Sequence, residues 1–242
     1  MGKSKIEWTQ IVWNPVTGCT KYSPGCKNCY AERMTRRLQA MGLEKYKYGF
    51  DVVNCDGVEL WRPRDGKWPD RSIVFVNSMS DLFHSHVDLL FIRDVFRVMN
   101  DARAYVFQVL TKRSGRLREI SSSLPWGDNV WMGVSVENQD YLFRIDHLRE
   151  CGAKHKFISF EPLLGPLGRV DLSGIDWVIV GGESGPGARP LREEWVLPIR
   201  DQCAEMGIPF FFKQWGGVNK KKNGAQLQGK EYKQTPEYRF ND

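Results

Sequence analysis

No apolar run in this sequence approaches the ~20 residues that cross a bilayer, and the opening MGKSKIEWTQ has no apolar stretch that a signal peptidase would recognise. The expectation is a cytoplasmic protein with no membrane partner. Histidine is scarce, with four in 242 residues. No HExxH, G-x-S-x-G or G-x4-G-K-[ST] occurs, so zincins, serine hydrolases and P-loop NTPases all lack their signatures. A GxGxxG turn after a first strand is also missing, which argues against a dinucleotide-binding doubly wound sheet. Charge of one sign is only mildly in excess: 35 Lys and Arg against 29 Asp and Glu give +6. Such a bias permits a polyanionic partner without demanding one.

What is present is an ordinary globular composition, 41% hydrophobic and 26% charged, in a chain long enough for one large domain. Short apolar runs recur at Ile73–Asn77, Tyr105–Leu110, Val130–Val136, Lys156–Phe160, Trp177–Val180 and Pro209–Lys213. Their near-continuous apolarity predicts strands covered on both faces. Helical spacing appears between them at Leu89–Asn100, Gln139–Glu150 and Glu193–Met206, with Pro198 expected to bend the last. Alternating strand and helix predicts an α/β fold: a partial (β/α) TIM-like barrel of about six or seven parallel strands. The barrel is expected over residues 1–218, with an irregular insertion near 43–70. A polar, basic tail follows at 219–242, whose Lys220–Lys222 run suits phosphates but reads more simply as a solvated end.

Three of the six cysteines fall within eleven residues, in WNPVTGCTKYSPGCKNCYA. Pro15, Gly18, Pro24 and Gly25 make this a turning loop, and Ala31–Gln39 suits a following helix. In a reducing compartment such clustering points to ligation rather than disulfides. The C-x6-C-x2-C spacing lets Cys19, Cys26 and Cys29 approach one metal centre and leaves a coordination position to be filled by something else. Cys55, Cys151 and Cys203 are scattered and read as buried thiols. Polar residues follow nearly every strand: Asn77 to Asp81, Thr111 to Arg113, Glu137, Glu161, Gly181 to Ser184, and Lys213 to Trp215. In a barrel these tips converge on one mouth.

The loop and its βα repeats resemble the radical S-adenosylmethionine (SAM) superfamily. More closely, GC-x6-C-x2-CYAE, GGESG and FFKQWGG resemble an uncharacterised phage and bacterial three-cysteine-motif family over almost the whole chain. A weaker likeness to spore photoproduct lyase is confined to the loop and general architecture. The resemblance implies a [4Fe–4S] cluster on Cys19, Cys26 and Cys29, SAM on the fourth iron, and an electron donor such as flavodoxin or ferredoxin. It also implies a 5′-deoxyadenosyl radical that acts in repair or modification of a DNA or RNA component. Tyr30 would touch the adenine, although the common spacing is C-x3-C-x2-C with an aromatic at the position that Asn28 holds here. Ser78, Ser80 and Asp81 fall where the methionine part is contacted. Glu137, Glu161 and Glu183 are candidates for the amino, ribose or sulfonium groups, and Lys112, Lys213 and Gln214 for a carboxylate or phosphate.

The alternative is a zinc site in which His84 or His86 completes Cys₃His, in a nucleic-acid-binding or scaffolding protein without catalysis. Arg62, Arg64, Lys67 and Arg71, interleaved with Trp61 and Trp68, form a stretch able to grip a strand or to anchor the insertion.

Overall fold

The computed structural model describes residues 6–240; residues 1–5 and 241–242, the outer ends of the two segments expected above and half of the opening decapeptide, lie outside the described residues. Seven strands pair side by side in chain order, all parallel: β1 Ile11–Trp13, β2 Ile73–Val76, β3 Val106–Thr111, β4 Val130–Ser135, β5 His155–Phe160, β6 Trp177–Gly181 and β7 Phe210–Gln214. The sheet curls but the outer strands β1 and β7 do not pair, giving the partial barrel expected from the sequence.

Parallel strands need crossovers, and the main helices that supply them are α1 Tyr30–Ala40, α2 Leu89–Asp101, α3 Ser114–Ile120, α4 Phe143–Arg149 and α5 Glu193–Met206. Helix α2 begins where Asp88 accepts the Leu90 amide, a capping bond worth about 1 kcal/mol. The expected Gln139–Glu150 helix is a 3₁₀ turn at Gln139–Tyr141 followed by α4. Helix α5 runs its full expected length across Pro198 and ends at Gly207, whose φ of 67° suits a left-handed C-terminal cap.

Alternation along each strand divides the apolar residues. Val74, Val76, Phe107, Val109, Met132, Val134, Ile158, Val178 and Phe212 face the helical layer and join the main core with Ile92, Val95, Phe96 and Ile199. Phe75, Val106, Trp131, Phe157, Trp177 and Phe211 face the lumen and close on Trp8. Trp8 packs edge-on against Phe75 and Trp177, with centroids 4.9 and 5.8 Å apart. These aromatic rings plug the amino-terminal half of the lumen; higher up, Ser135 and Ser159 are small and leave space open.

Residues beyond β7 do more than solvate an end. The Phe212 amide bonds to the Tyr232 carbonyl and Trp177 Nε1 to that of Gln234, so the segment lies along the free edge of β7 and then passes beneath the lumen. There Gln108 donates to the Tyr238 hydroxyl and Tyr238 packs on Trp131. The insertion is built of short turns and one two-residue ladder, Val16–Thr17 with Asn54–Cys55. Trp68 anchors it, buried against Tyr105. Of the basic stretch, Arg62 pairs with Glu59, Arg64 pairs with Asp101 and lies over Trp61, and Arg71 lies over Phe240. Most of its charge is thus spoken for within the chain. No helix among the described residues is long and apolar enough to cross a membrane.

Candidate active site at the barrel mouth

Each arm of the cysteine loop is held by a different part of the fold. Gly18 has φ +82°, and a side chain there would meet the Val52 carbonyl oxygen at 2.0 Å, so only glycine lets the insertion close on the loop. The Cys19 amide then donates to the Phe50 carbonyl at 2.7 Å, and the Gly18 amide to that of Met79 at 3.2 Å. Cys26 ends a 3₁₀ turn, Pro24–Cys26. Cys29 is the N-cap of α1, where the helix dipole favours negative charge on its sulfur.

Beneath the loop lies a buried ion pair. Glu137 and Arg144 both have fully buried side chains and meet at 2.9 Å; Glu137 also accepts from Ser23 Oγ and faces Lys112 Nζ at 3.4 Å. A side chain on Gly25 would meet this carboxylate at 2.6 Å, so the loop lies directly on it. Glu137, expected to face a cosubstrate, is therefore a support beneath the loop and does not line the cavity, because its oxygens are taken by Arg144, Lys112 and Ser23.

Glu183 lines the cavity with its oxygens also engaged. It accepts from Asn28 Nδ2 at 2.9 Å and from the backbone and side chain of Arg189. Burial pushes its carboxyl up, but the Arg189 and Asn28 hydrogen bonds outweigh that and hold it below the usual carboxylate range. Arg33 of α1 closes the same seam by donating to the Ser184 carbonyl at 2.8 Å.

All three cysteines open onto one cavity of about 310 Å³ at the carboxyl ends of the strands. Of the residues expected there, Tyr30, Ser78, Ser80, Asp81, Lys112, Glu161, Glu183, Lys213 and Gln214 line it. Glu161 and Lys213 form an ion pair at 3.1 Å. Asp81 is turned partly into the wall, accepting from the Thr111 hydroxyl and the amides of Phe83 and Lys112. Ser80 and Ser78 donate to the Val16 carbonyl and to Asn14, while Tyr30 stands at the rim, 55% exposed.

Arg113 and Asn77, expected only as members of the strand-tip set with no role of their own, also line the cavity. Arg113 Nη2 donates to the Thr20 carbonyl and hydroxyl at 3.0 and 3.1 Å and reaches Cys19 Sγ at 3.8 Å. Its position after a strand was visible in the sequence; its choice of Cys19 as neighbour was not. Asn77 has φ +61° and accepts the Val16 amide through Oδ1.

Burial, with the charge of Asp81, pushes the Cys19 thiol up to about 11, and burial raises Cys29 as well. Metal coordination reverses this by deprotonating the thiol. A tetrahedral zinc site needs four ligand atoms converging at ~2.0–2.3 Å on one ion, and among the described residues no three Cys, His, Asp or Glu side chains do so. The histidines do not complete the set either. His84 accepts the His86 amide at Nδ1 and so holds its proton at Nε2, donating to the Thr20 hydroxyl at 2.8 Å; neither histidine lines the cavity. A [4Fe–4S] cluster is held by cysteine thiolates, and Cys19, Cys26 and Cys29, which line one cavity, are the residues that would hold it.

Solved structures with the same fold include those of spore photoproduct lyase. A cysteine-to-alanine mutant with dinucleoside spore photoproduct superposes with TM-score 0.50 at 11% identity, over 84% of this chain and 63% of that one. A double mutant with bound AdoMet and dinucleoside spore photoproduct gives TM-score 0.50 at 10% identity, with the same coverage. A cysteine-to-serine mutant gives TM-score 0.51 at 13% identity, over 74% and 57%. The chain thus spans less than two thirds of the length of those proteins, and at such identities the likeness shows the fold alone. No curated protein matches the sequence. Residues 3–236 match the model of the family described as protein of unknown function DUF5131, and the chain belongs to that family.

Proposed function

We propose that this protein is an iron–sulfur radical SAM enzyme acting on a nucleic-acid component. The observation that carries the reading is the opening of Cys19, Cys26 and Cys29 onto a single cavity at the carboxyl mouth of a partial parallel barrel. Cys19, Cys26 and Cys29 would hold a [4Fe–4S] cluster, which with one electron from a flavodoxin- or ferredoxin-like donor would supply reductive cleavage of the C5′–S bond of SAM, giving methionine and a 5′-deoxyadenosyl radical able to take a hydrogen atom from a substrate.

The chain's own residues fix the ligands and keep water out. Gly18 and the Phe50 carbonyl hold the Cys19 arm, Glu137 with Arg144 holds the turn at Cys26, and Glu183 with Arg189 holds Asn28 beside Cys29. Arg113 near Cys19 and Lys112 near Cys29 set positive charge that opposes, without outweighing, the desolvation that raises both thiols. The Glu161–Lys213 pair offers an acceptor and a donor to a polar ligand, Tyr30 a ring at the rim, and Ser78, Ser80 and Asp81 polar atoms beside the first thiol arm. The aromatic plug around Trp8 closes the lumen from below, as a reactive radical requires.

A nucleic-acid substrate is compatible with the +6 net charge and is supported by a fold shared with an enzyme solved with a dinucleoside photoproduct. The cytoplasm, where thiols stay reduced, suits the six free cysteines, the three of the loop among them. Reduced protein given SAM is expected to release 5′-deoxyadenosine, and Cys26→Ala to release none. Release that persists in Cys26→Ala contradicts the proposal.

A further inference from the structure

Two primary amides in the cavity wall have one atom engaged by the backbone and the other left without a partner. Asn77, at the end of β2, accepts the Val16 amide through Oδ1 at 3.2 Å, which fixes Nδ2 as the free atom. Gln214, at the end of β7, donates from Nε2 to the Gly182 carbonyl at 2.9 Å, which fixes Oε1 as the free atom. Both residues are more than nine-tenths buried, and both line the cavity. A buried polar atom left unpartnered costs about 1–3 kcal/mol, and these two residues bring one donor and one acceptor without a protein partner to the cavity wall.

A bulge brings Gln214 there. Val180 pairs with Phe212 but Gly181 with Gln214, so the register skips Lys213. Adjacent strand residues ordinarily point to opposite faces; across this skip Lys213 and Gln214 both line the cavity. Such irregularities at strand ends re-aim side chains.

The chemistry narrows the ligand. Asn77 and Gln214 are neutral, so the group between them needs no charge but must offer both an acceptor and an N–H. They stand near opposite edges of the sheet, on β2 and β7, and line the same cavity. Phe75, Leu110 and Phe50 supply apolar surface to the same cavity. A flat ligand with apolar faces and donor–acceptor edges satisfies all of these, and a nucleobase is such a ligand.

We infer that Asn77 and Gln214 read the edges of a nucleobase seated in the barrel lumen, with Asn77 donating to a ring nitrogen or carbonyl and Gln214 accepting an N–H. The inference rests on the cavity being the ligand site of the proposed function, not on the cluster. The same base chemistry comes from two sources, the adenosyl group of SAM or a base of the nucleic-acid substrate.

The test is equilibrium binding by the full chain, with adenosine, SAM and thymidine as probes, N6,N6-dimethyladenosine and N3-methylthymidine as their N–H-blocked counterparts, and ribose 5-phosphate as the base-free control. The expected result is at least tenfold weaker binding of the blocked form of whichever base is recognised, and no competition by ribose 5-phosphate. Gln214→Leu should weaken the parent about tenfold and abolish the penalty for methylation. Asn77→Asp, which keeps the Val16 bond but removes the donor, should weaken the parent while the methylation penalty remains. Preference for adenosine and SAM assigns the subsite to the cosubstrate, and preference for thymidine to the substrate. Equal binding of blocked and parent forms, or no nucleoside binding at all, overturns the inference. Either result leaves the cluster reading to be judged separately by iron and sulfide content.

Discussion

Gly18 is the residue on which the cysteine loop turns. With φ at +82° and the Val52 carbonyl 2.0 Å from where a side chain would begin, Gly18→Ala cannot be absorbed locally. The strain exceeds the ~1 kcal/mol of an ordinary glycine replacement. Gly18→Ala is expected to lower the melting temperature and the iron bound per chain together, whereas Gly42→Ala, where nothing lies within 4 Å, should lower only the first, and slightly. His84 gives a pH signature. Burial first, then Arg113, His86 and Arg116, outweigh the opposing pull of Asp81 and push its imidazole down to about 4 from 6.5. The unfolded chain therefore takes up a proton that the folded chain refuses, and stability falls as pH drops from about 6.5 toward 4. His147 and His155, also lowered mainly by burial, add to the slope. Urea unfolding at pH 7 and pH 5 should show the loss, and His84→Gln should make it smaller. An unchanged slope in His84→Gln would show that His84 is not its source.

At the scale of elements, the join between the cysteine loop and the barrel is the Glu137–Arg144 pair, both side chains fully buried. Removing one partner strands a buried charge at a cost of ~3–5 kcal/mol. Arg144→Met is expected to destabilise by that amount in denaturant titration, and Glu137→Leu/Arg144→Met, which removes both charges, by clearly less than the sum of the single changes. The segment beneath the barrel makes a comparable prediction. Tyr238→Ala removes a ring lying on Trp131 and a hydroxyl bonded to Gln108, so a loss of ~1.5–3 kcal/mol is expected in the same titration. These elements also show what the sequence made legible. The barrel strands from β2 to β7 were readable because both of their faces are covered, which leaves unbroken apolar runs. The three-residue β1 was too short to stand out, and α4 was overextended because its apolar spacing begins inside a 3₁₀ turn. The segment after β7 gave no periodic signal because its anchors are isolated aromatics, Tyr232, Tyr238 and Phe240, each seated in a separate gap. The convergence of strand tips was legible as a set. Which carboxylates face the cavity and which prop the loop depends on long-range partners such as Arg144 and Arg189, and no spacing records them.

At the scale of the whole molecule, a partial barrel gathers three thiols at its carboxyl mouth and is stopped at the opposite end by aromatic rings. The insertion, the basic turn after β3 and the glycine-rich loop after β6 each reach the cysteine loop from a different side, so the site is a product of the complete fold. The central claim is that these thiols hold a four-iron, four-sulfide cluster with one iron left open. The direct measurement is iron, sulfide and zinc content after anaerobic purification, together with the electron paramagnetic resonance spectrum of the reduced protein with and without SAM. The account predicts four irons and four sulfides per chain, absent from Cys26→Ala, and a spectrum that changes when SAM is added. A colourless protein holding one zinc and no sulfide would contradict it.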